Sequence, residues 1–258
     1  MCEKKIKELN KFFAPDETVT HLYHYTTIEA FVNGIVFPYP QKGEELCFRA
    51  THNQYMNDPT EFQNGIRLLD EICKKIEESY GISTPRGKVE EYKENYYFVC
   101  FSENADSLPM WCMYGNNGHG IALKFKRFEQ TVDIEWILKC EYDIKNVLDR
   151  FSELQQENET MMITYLSLLP FILKNSAYFH EKETRFIGSF PDIPTRYRYR
   201  NGMAVPYKEI FVDKEILESI VIGPSANQED VKKSLRRFLD DNNLQHVNIE
   251  GSSIPYRS

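Results

Sequence analysis

A histidine closing one alternating stretch, two glutamates opening another and a run of alternate arginines are the residues whose types and spacing could do chemistry. In His21 to Val36 (HLYHYTTIEAFVNGIV) a β-type alternation runs into a Thr-Thr pair able to cap a helix, with Glu29 in the first turn and Gly34 where the helix is expected to stop. His24, at the end of that strand and just before a helix N-terminus, points into the kind of crevice where α/β folds hold ligands and where N–H groups favour anions. Glu181, Glu183 and Arg185 alternate along a strand start, so Glu183 and Arg185 share a face and either form an ion pair or present a carboxylate for catalysis. Arg196, Arg198 and Arg200 alternate with Tyr197 and Tyr199; in a strand this suits a phosphate-bearing or single-stranded nucleic-acid partner. The plainer reading is an exposed edge strand whose charges discourage aggregation.

For other candidates the structural reading comes first. Asn57-Asp58-Pro59 reads first as a turn and helix cap, with Asp58 capping and Pro59 at the first helical position. Trp111 and Tyr114, three apart on a short helix, share a face that is more often core than stacking platform. Ser102 ends a strand. His52, Asp58 and Glu61 lie near one another, yet no HxxxH, HExxH or paired-Cys spacing accompanies them, so no metal is expected. No GxSxG is present, and Cys100 and Cys112 sit among apolar residues, which speaks against a Ser or Cys hydrolase.

These residues need a scaffold, and the chain is long enough to supply one. With 258 residues, 41% apolar and 14% aromatic, it can bury one large core, and a single domain over 1–258 with insertions is expected. A net charge of −8 argues against sequence-independent duplex binding. Cys2, Cys47, Cys73, Cys100, Cys112 and Cys140 form no CxxC pair and read as buried hydrophobes in a reducing compartment. The opening MCEKKIKELNKFF has no apolar core of signal-peptide type, and Met161 to Leu173 is too short to span a bilayer, so a cytoplasmic protein with no membrane contact is expected.

The elements follow from periodicity. Helix is expected over 3–13, strand over Glu45 to Ala50, and helix from Pro59 to about Tyr80, where Ile66, Leu69, Cys73 and Ile76 recur at three and four. Tyr96 to Ser102 is near-continuously apolar and reads as a central strand. Strands are also expected at Ile121 to Phe125, Ile137 to Tyr142, Thr184 to Ser189, Glu218 to Ile222 and Gln245 to Ile249. Helices are expected at Ile144 to Glu157, Glu159 to Ser176 and Asn227 to Asp240, and PDIPTRYRYRNGMAVP as a Pro- and Arg-rich excursion. Strand pairs with helices inserted between them favour an α+β fold with a split, mainly antiparallel sheet around a central cleft.

The ordered blocks LYHYT (22–26), NDPTEF (57–62), CFSE (100–103), MWxxYG (110–115) and ExExR (181–185) resemble a bacterial family labelled domain of unknown function 2971, with Tyr178 where that family carries a Trp. More distantly, the strand-His-x-Thr-helix opening, the strand ending in Phe-Ser and the late Glu-x-Glu are similar to ADP-ribosyltransferase folds. That resemblance implies NAD as co-substrate, transfer or hydrolysis of its ADP-ribose, and a setting in phage defence or toxin action. It puts His24 at the nicotinamide ribose, Ser102 or Tyr114 in support, Glu183 as the carboxylate facing the developing oxocarbenium ion, and Glu181 orienting or deprotonating the acceptor. Tyr25 or Tyr114 would stack on the nicotinamide, and Thr26, Asn57, Asp58, Trp111 and Arg185 complete the candidate NAD site. Acceptor recognition falls to Arg196, Arg198 and Arg200. The alternative is a non-catalytic sensor or interaction module binding a nucleotide or peptide in the same cleft.

Overall fold

Ten strands pair into one large, mostly antiparallel open sheet, and with the helices packed on it the fold is α+β. The computed structural model describes residues 18–36, 45–56, 61–81, 96–127, 136–143, 145–149, 166 and 168–256. The strands are β1 His21–Thr26, β2 Glu45–His52, β3 Tyr97–Ser102, β4 Ile121–Lys126, β5 Trp136–Lys139, β6 Glu183–Gly188, β7 Arg196–Arg200, β8 Met203–Asp213, β9 Leu217–Ile222 and β10 Asn248–Gly251. Their order is β10-β9-β4-β1-β3-β2-β8-β7, with β6 joining β3 to β5. Among the strands of the described residues only β9 and β10 run parallel, joined by the Gln228–Asp241 helix, as a parallel connection requires.

β3 is the hinge of this arrangement. It pairs with β6 from Tyr97↔Gly188 to Ser102↔Glu183. It meets β1 only at Tyr23↔Ser102, and β2 only at Thr51↔Phe98 and His52↔Tyr97. β1 and β2 therefore hold opposite ends of β3 and leave its middle without a ladder partner on that side.

Alternation sorts β3 between two cores. Tyr97, Val99 and Phe101 join a cluster with Leu22, Phe48 and Leu239, whereas Phe98 faces Leu69, Ile76 and Phe171. The Glu61–Tyr80 helix supplies the second cluster through the expected three-four repeat, and at Gly65 a Cβ would lie 2.7 Å from the Pro170 carbonyl oxygen, so this helix packs directly on backbone. A smaller cluster joins Tyr25, Met110 and Trp111 behind β1. Among the described residues no helix is long and apolar enough to cross a membrane.

Several boundaries differ from expectation. Thr27 caps the turn after β1, accepting from the Ala30 amide, but Gly34 does not stop the helix: the chain passes into a π-helical turn, Phe31–Val36, that buries Phe31 and Ile35. β5 ends at Lys139 rather than Tyr142. The helix expected to reach Ser176 ends earlier, because Leu173 bridges Glu141 and a new 3-10 turn begins at Ser176. The Arg-rich excursion is a hairpin, and β8 is a long strand the sequence reading passed over. The expected 3–13 helix and the Asn57-Asp58-Pro59 turn lie outside the described residues.

The loop after the Leu108–Met113 helix depends on close backbone approach. The Gly120 amide donates to the Gly115 carbonyl at 2.8 Å and its own carbonyl accepts from Gly223 at 2.9 Å, while a Cβ at Gly120 would sit 2.4 Å from the Thr26 carbonyl oxygen. Gly120→Ala is expected to lower unfolding free energy by about 1–3 kcal/mol in urea titration. An unchanged midpoint would show that this loop yields freely.

Candidate functional site

The gap that β1 and β2 leave beside the middle of β3 opens into a cavity of about 290 Å³. β1 contributes His24, Tyr25 and Thr26; β2 contributes Phe48, Arg49 and Thr51; Tyr114, Lys174, Tyr178, Glu181 and Glu183 close one end, and Arg198 and Arg200 reach in from β7. His24 thus faces one space with Glu181 and Glu183, which lie far from it in sequence.

The carboxylate end rests on a buried ion network. Arg185 grips Glu183 in a fork, Nε to Oε1 and Nη2 to Oε2 at 2.9 Å each, while Nη2 also meets Glu61 and Nη1 donates to the Phe171 carbonyl at 2.6 Å. Lys174 donates to Glu183 Oε2 at 2.5 Å and to Glu181 Oε2, and Tyr114 donates its hydroxyl to Glu181 Oε1 at 2.8 Å. Burial alone would raise the Glu183 pKa, but Arg185 and Lys174 outweigh it and hold the carboxyl well below the usual range. For Lys174 burial acts downward, yet attraction to Glu183 prevails and the ammonium is held more firmly than usual. Counted formally, Glu61, Glu181 and Glu183 against Lys174 and Arg185 leave one negative charge. Glu181 Oε1 bonds the neutral Tyr114 hydroxyl, whereas each Glu183 oxygen meets a cationic donor.

Local backbone aims both glutamates the same way. Asn175 caps the Ser176–Glu181 turn and Lys182 takes a left-handed conformation at φ 40°, so the chain kinks between Glu181 and Glu183 instead of alternating. Ser102 Oγ donates to the Glu181 carbonyl at 2.6 Å, Asn104 holds the His180 carbonyl at 2.7 Å, and the Glu183 amide donates to Tyr142 at 2.9 Å.

His24 occupies the unpaired middle of the sheet. Its Nδ1–H donates to the Cys100 carbonyl at 2.9 Å, which supplies the acceptor on β3 with the partner that no strand provides and fixes the lone pair on Nε2. Its ring meets Phe48 edge-on at 5.4 Å and Phe101 at 5.6 Å. Burial, reinforced by the nearby Arg198 charge, lowers its pKa despite the carbonyl bond, so the imidazole is neutral. Burial likewise raises the Cys100 and Cys140 thiols, which excludes them as ready thiolates.

The remaining expected residues divide. Tyr25 lines the cavity, but its hydroxyl donates to the Asn104 carbonyl and accepts from the Ser107 amide, pinning the loop that leads to Tyr114. Ser102 lines the cavity at its edge and acts on the Glu181 backbone. Trp111 is wholly buried against Tyr25, donates Nε1–H to Asp106 at 2.7 Å and does not line the cavity. Arg185 lies beneath the cavity as the partner of Glu183. Asn57 and Asp58 lie outside the described residues. Of the arginine stripe, Arg196 pairs with Glu209 at 2.8 Å while Arg198 and Arg200 turn inward; Tyr197 and Tyr199 stay exposed. Sequence reasoning missed Lys174 and Arg49. Lys174 ends a long apolar run, where a lysine is out of place unless paired; Arg49 sits in the otherwise apolar strand ELCFRA. Among the described residues no group of His, Cys, Asp or Glu is arranged to hold a metal ion.

No protein-family model, curated protein or solved structure matches the chain.

Glu183 is held ionised by its partners, so its contribution to stability is fully present above its unfolded pKa and is lost as pH falls through the folded value. Glu183→Gln is expected to cost about 3–5 kcal/mol at neutral pH by leaving Arg185 and Lys174 short of charge. Denaturant unfolding from pH 7 downward should show that gap closing below about pH 4. A gap that stays constant with pH would mean the carboxylate is not held ionised.

Proposed function

We propose that the cavity binds NAD as substrate and cleaves its nicotinamide–ribose bond, transferring ADP-ribose to an acceptor or to water. The observation that carries this reading is the convergence of Glu181, Tyr114 and the neutral His24 imidazole on one cavity whose opposite end is lined by arginines. In the reaction the C1′–N bond breaks with its electron pair going to nicotinamide, and the ribose passes through an oxocarbenium ion that a carboxylate stabilises. An acceptor oxygen or nitrogen then bonds to C1′ and releases a proton.

The residues divide that work. Glu181 faces the ribose, with Tyr114 and Lys174 fixing its carboxylate. Glu183 holds Lys174 in place, since both its oxygens carry cationic donors, whereas Glu181 Oε1 meets only the Tyr114 hydroxyl. His24 presents Nε2 as an acceptor for a ribose or acceptor hydroxyl, and Tyr114 and Tyr178 offer aromatic surface to the nicotinamide. The phage-defence or toxin setting belongs to the family resemblance and to no residue of the site. A second reading, a non-catalytic nucleotide sensor, is favoured by one observation: Arg185 and Lys174 neutralise Glu183 and weaken it as a stabiliser of positive charge.

Purified protein incubated with NAD is expected to release nicotinamide. Glu181→Gln should lower kcat by about a hundredfold or more, as expected for a group acting on transition-state charge, with little change in KM. Because Glu181 is buried, Tyr114→Phe provides a second test: it keeps the packing and should lower the rate with thermal unfolding nearly unchanged. Release at wild-type rates in both variants would refute the assignment. NAD binding without release would favour the sensor.

A further inference from the structure

The arginines that line the cavity differ from the cations of the carboxylate network. Lys174 and Arg185 are buried and matched by carboxylates, and the exposed Arg196 pairs with Glu209; Lys208, a single buried cation, is held by the neutral Phe190 and Ile193 carbonyls at 2.5 and 2.7 Å. Arg49, Arg198 and Arg200 converge on the cavity, and among the described residues none of them meets a carboxylate. Arg198 donates to Thr51 Oγ1 at 2.7 Å and Arg200 to the Tyr55 carbonyl; both acceptors are neutral. The Nε atoms of Arg49 and Arg198 are buried without a hydrogen-bond partner.

Packing holds the group together. The Arg49 and Arg198 guanidinium carbons lie 5.4 and 5.9 Å from the centre of one ring, that of Tyr207, and Arg49 also packs at 3.6 Å from where a Gly34 Cβ would be. Burial and the repulsion of Arg200 and Arg49 pull the Arg198 pKa below its ordinary value. Like charges gathered in a recess with donors to spare are costly unless an anion shares them, and the guanidinium fork matches phosphate oxygens.

We propose that Arg49, Arg198 and Arg200 form a phosphate subsite that takes the diphosphate of a nucleotide, with the nucleoside portion reaching toward His24. The proposal deepens the NAD reading, on which its choice of a nucleoside diphosphate rests, but it concerns binding alone. It also assigns Arg198 and Arg200 to a ligand inside the cavity instead of to a polymer lying across β7.

Calorimetric titration with ADP, ADP-ribose, inorganic pyrophosphate and adenosine tests it. ADP, ADP-ribose and pyrophosphate are expected to bind, and adenosine to bind at least tenfold more weakly than ADP. Arg49→Gln and Arg198→Gln should each weaken ADP roughly tenfold or more, the range of one charge-assisted hydrogen bond, while leaving adenosine unchanged. Without ligand, both variants should melt at or above the wild-type temperature, because each removes one of several mutually repelling cations. A lower melting temperature with unchanged ADP affinity would make the arginines structural and overturn the subsite, as would ADP binding no tighter than adenosine. ADP-ribose binding that depends on these arginines, in a protein that releases no nicotinamide, would sustain the subsite and defeat the catalytic reading. Turnover with a KM indifferent to them would do the reverse.

Discussion

A charge taken out of water must find its opposite, and the centre of this protein is built around that demand. Glu61, Lys174, Glu181, Glu183 and Arg185 come from a long helix, the end of an apolar segment, a 3-10 turn and a strand, and each needs the others. The Arg185 guanidinium can lie under the sheet only because Glu61 and Glu183 flank it and the Phe171 carbonyl takes a further donor. Such a network adds little net stability over an apolar core of the same volume, since desolvation offsets most of the attraction, but losing one member strands the rest. It therefore acts as a fastener. It fixes the register of the Glu61–Tyr80 helix against β6 and places Lys174 between two carboxylates.

That fastener lies beside the place where the sheet comes apart. β3 keeps full pairing with β6, the strand that carries Glu183 and Arg185, and releases its other edge to β1 and β2 only at the ends. An exposed carbonyl in the opened middle would be expensive, and His24 answers it at Cys100. The same hydrogen bond that is structurally required also orients the imidazole and leaves Nε2 as its acceptor. Structural and functional readings of His24 are thus not rivals: the split in the sheet creates both the cavity and the need for a donor to line it.

Much of the scaffold was legible because it follows from periodicity. The Glu61–Tyr80 helix, β3, β4, β9 and the Gln228–Asp241 helix stand where repeats of two and three-to-four put them. β8 escaped because Pro206, Lys208 and Glu209 break its alternation, although Asn201-Gly202 before it carries a hairpin signal. Gly34 misled because burial of Phe31 and Ile35 carries the helical turn past a residue that local propensity marks as a stop. At the site, Glu183 and Arg185 sharing a face could be read from spacing. That Lys174 divides itself between Glu181 and Glu183 could not, since it depends on the kink at Lys182 and on where the 168–172 segment ends. Trp111 lies in the Leu108–Met113 helix and Tyr114 caps its C-terminus, yet of the two only Tyr114 reaches the cavity. A spacing of three defines a common face without saying which residue stands at its rim.

The two ends of the cavity obey opposite electrostatic rules, and the contrast separates structure from function more sharply than either end alone. At the Glu181 end every buried charge has an opposite neighbour within hydrogen-bonding distance, so removing a partner must weaken the fold. At the Arg49 end guanidinium groups crowd one another around Tyr207 with neutral acceptors. Folding alone gives no reason to gather them there. Local violations of this kind persist where a ligand supplies the missing term, and in the proposed subsite that term is negative charge. A ligand spanning both ends needs an anionic segment joined to a polar, uncharged or cationic one. A nucleoside diphosphate whose far end carries ribose and a pyridinium ring meets both requirements, whereas an inorganic anion or an uncharged nucleoside meets only one.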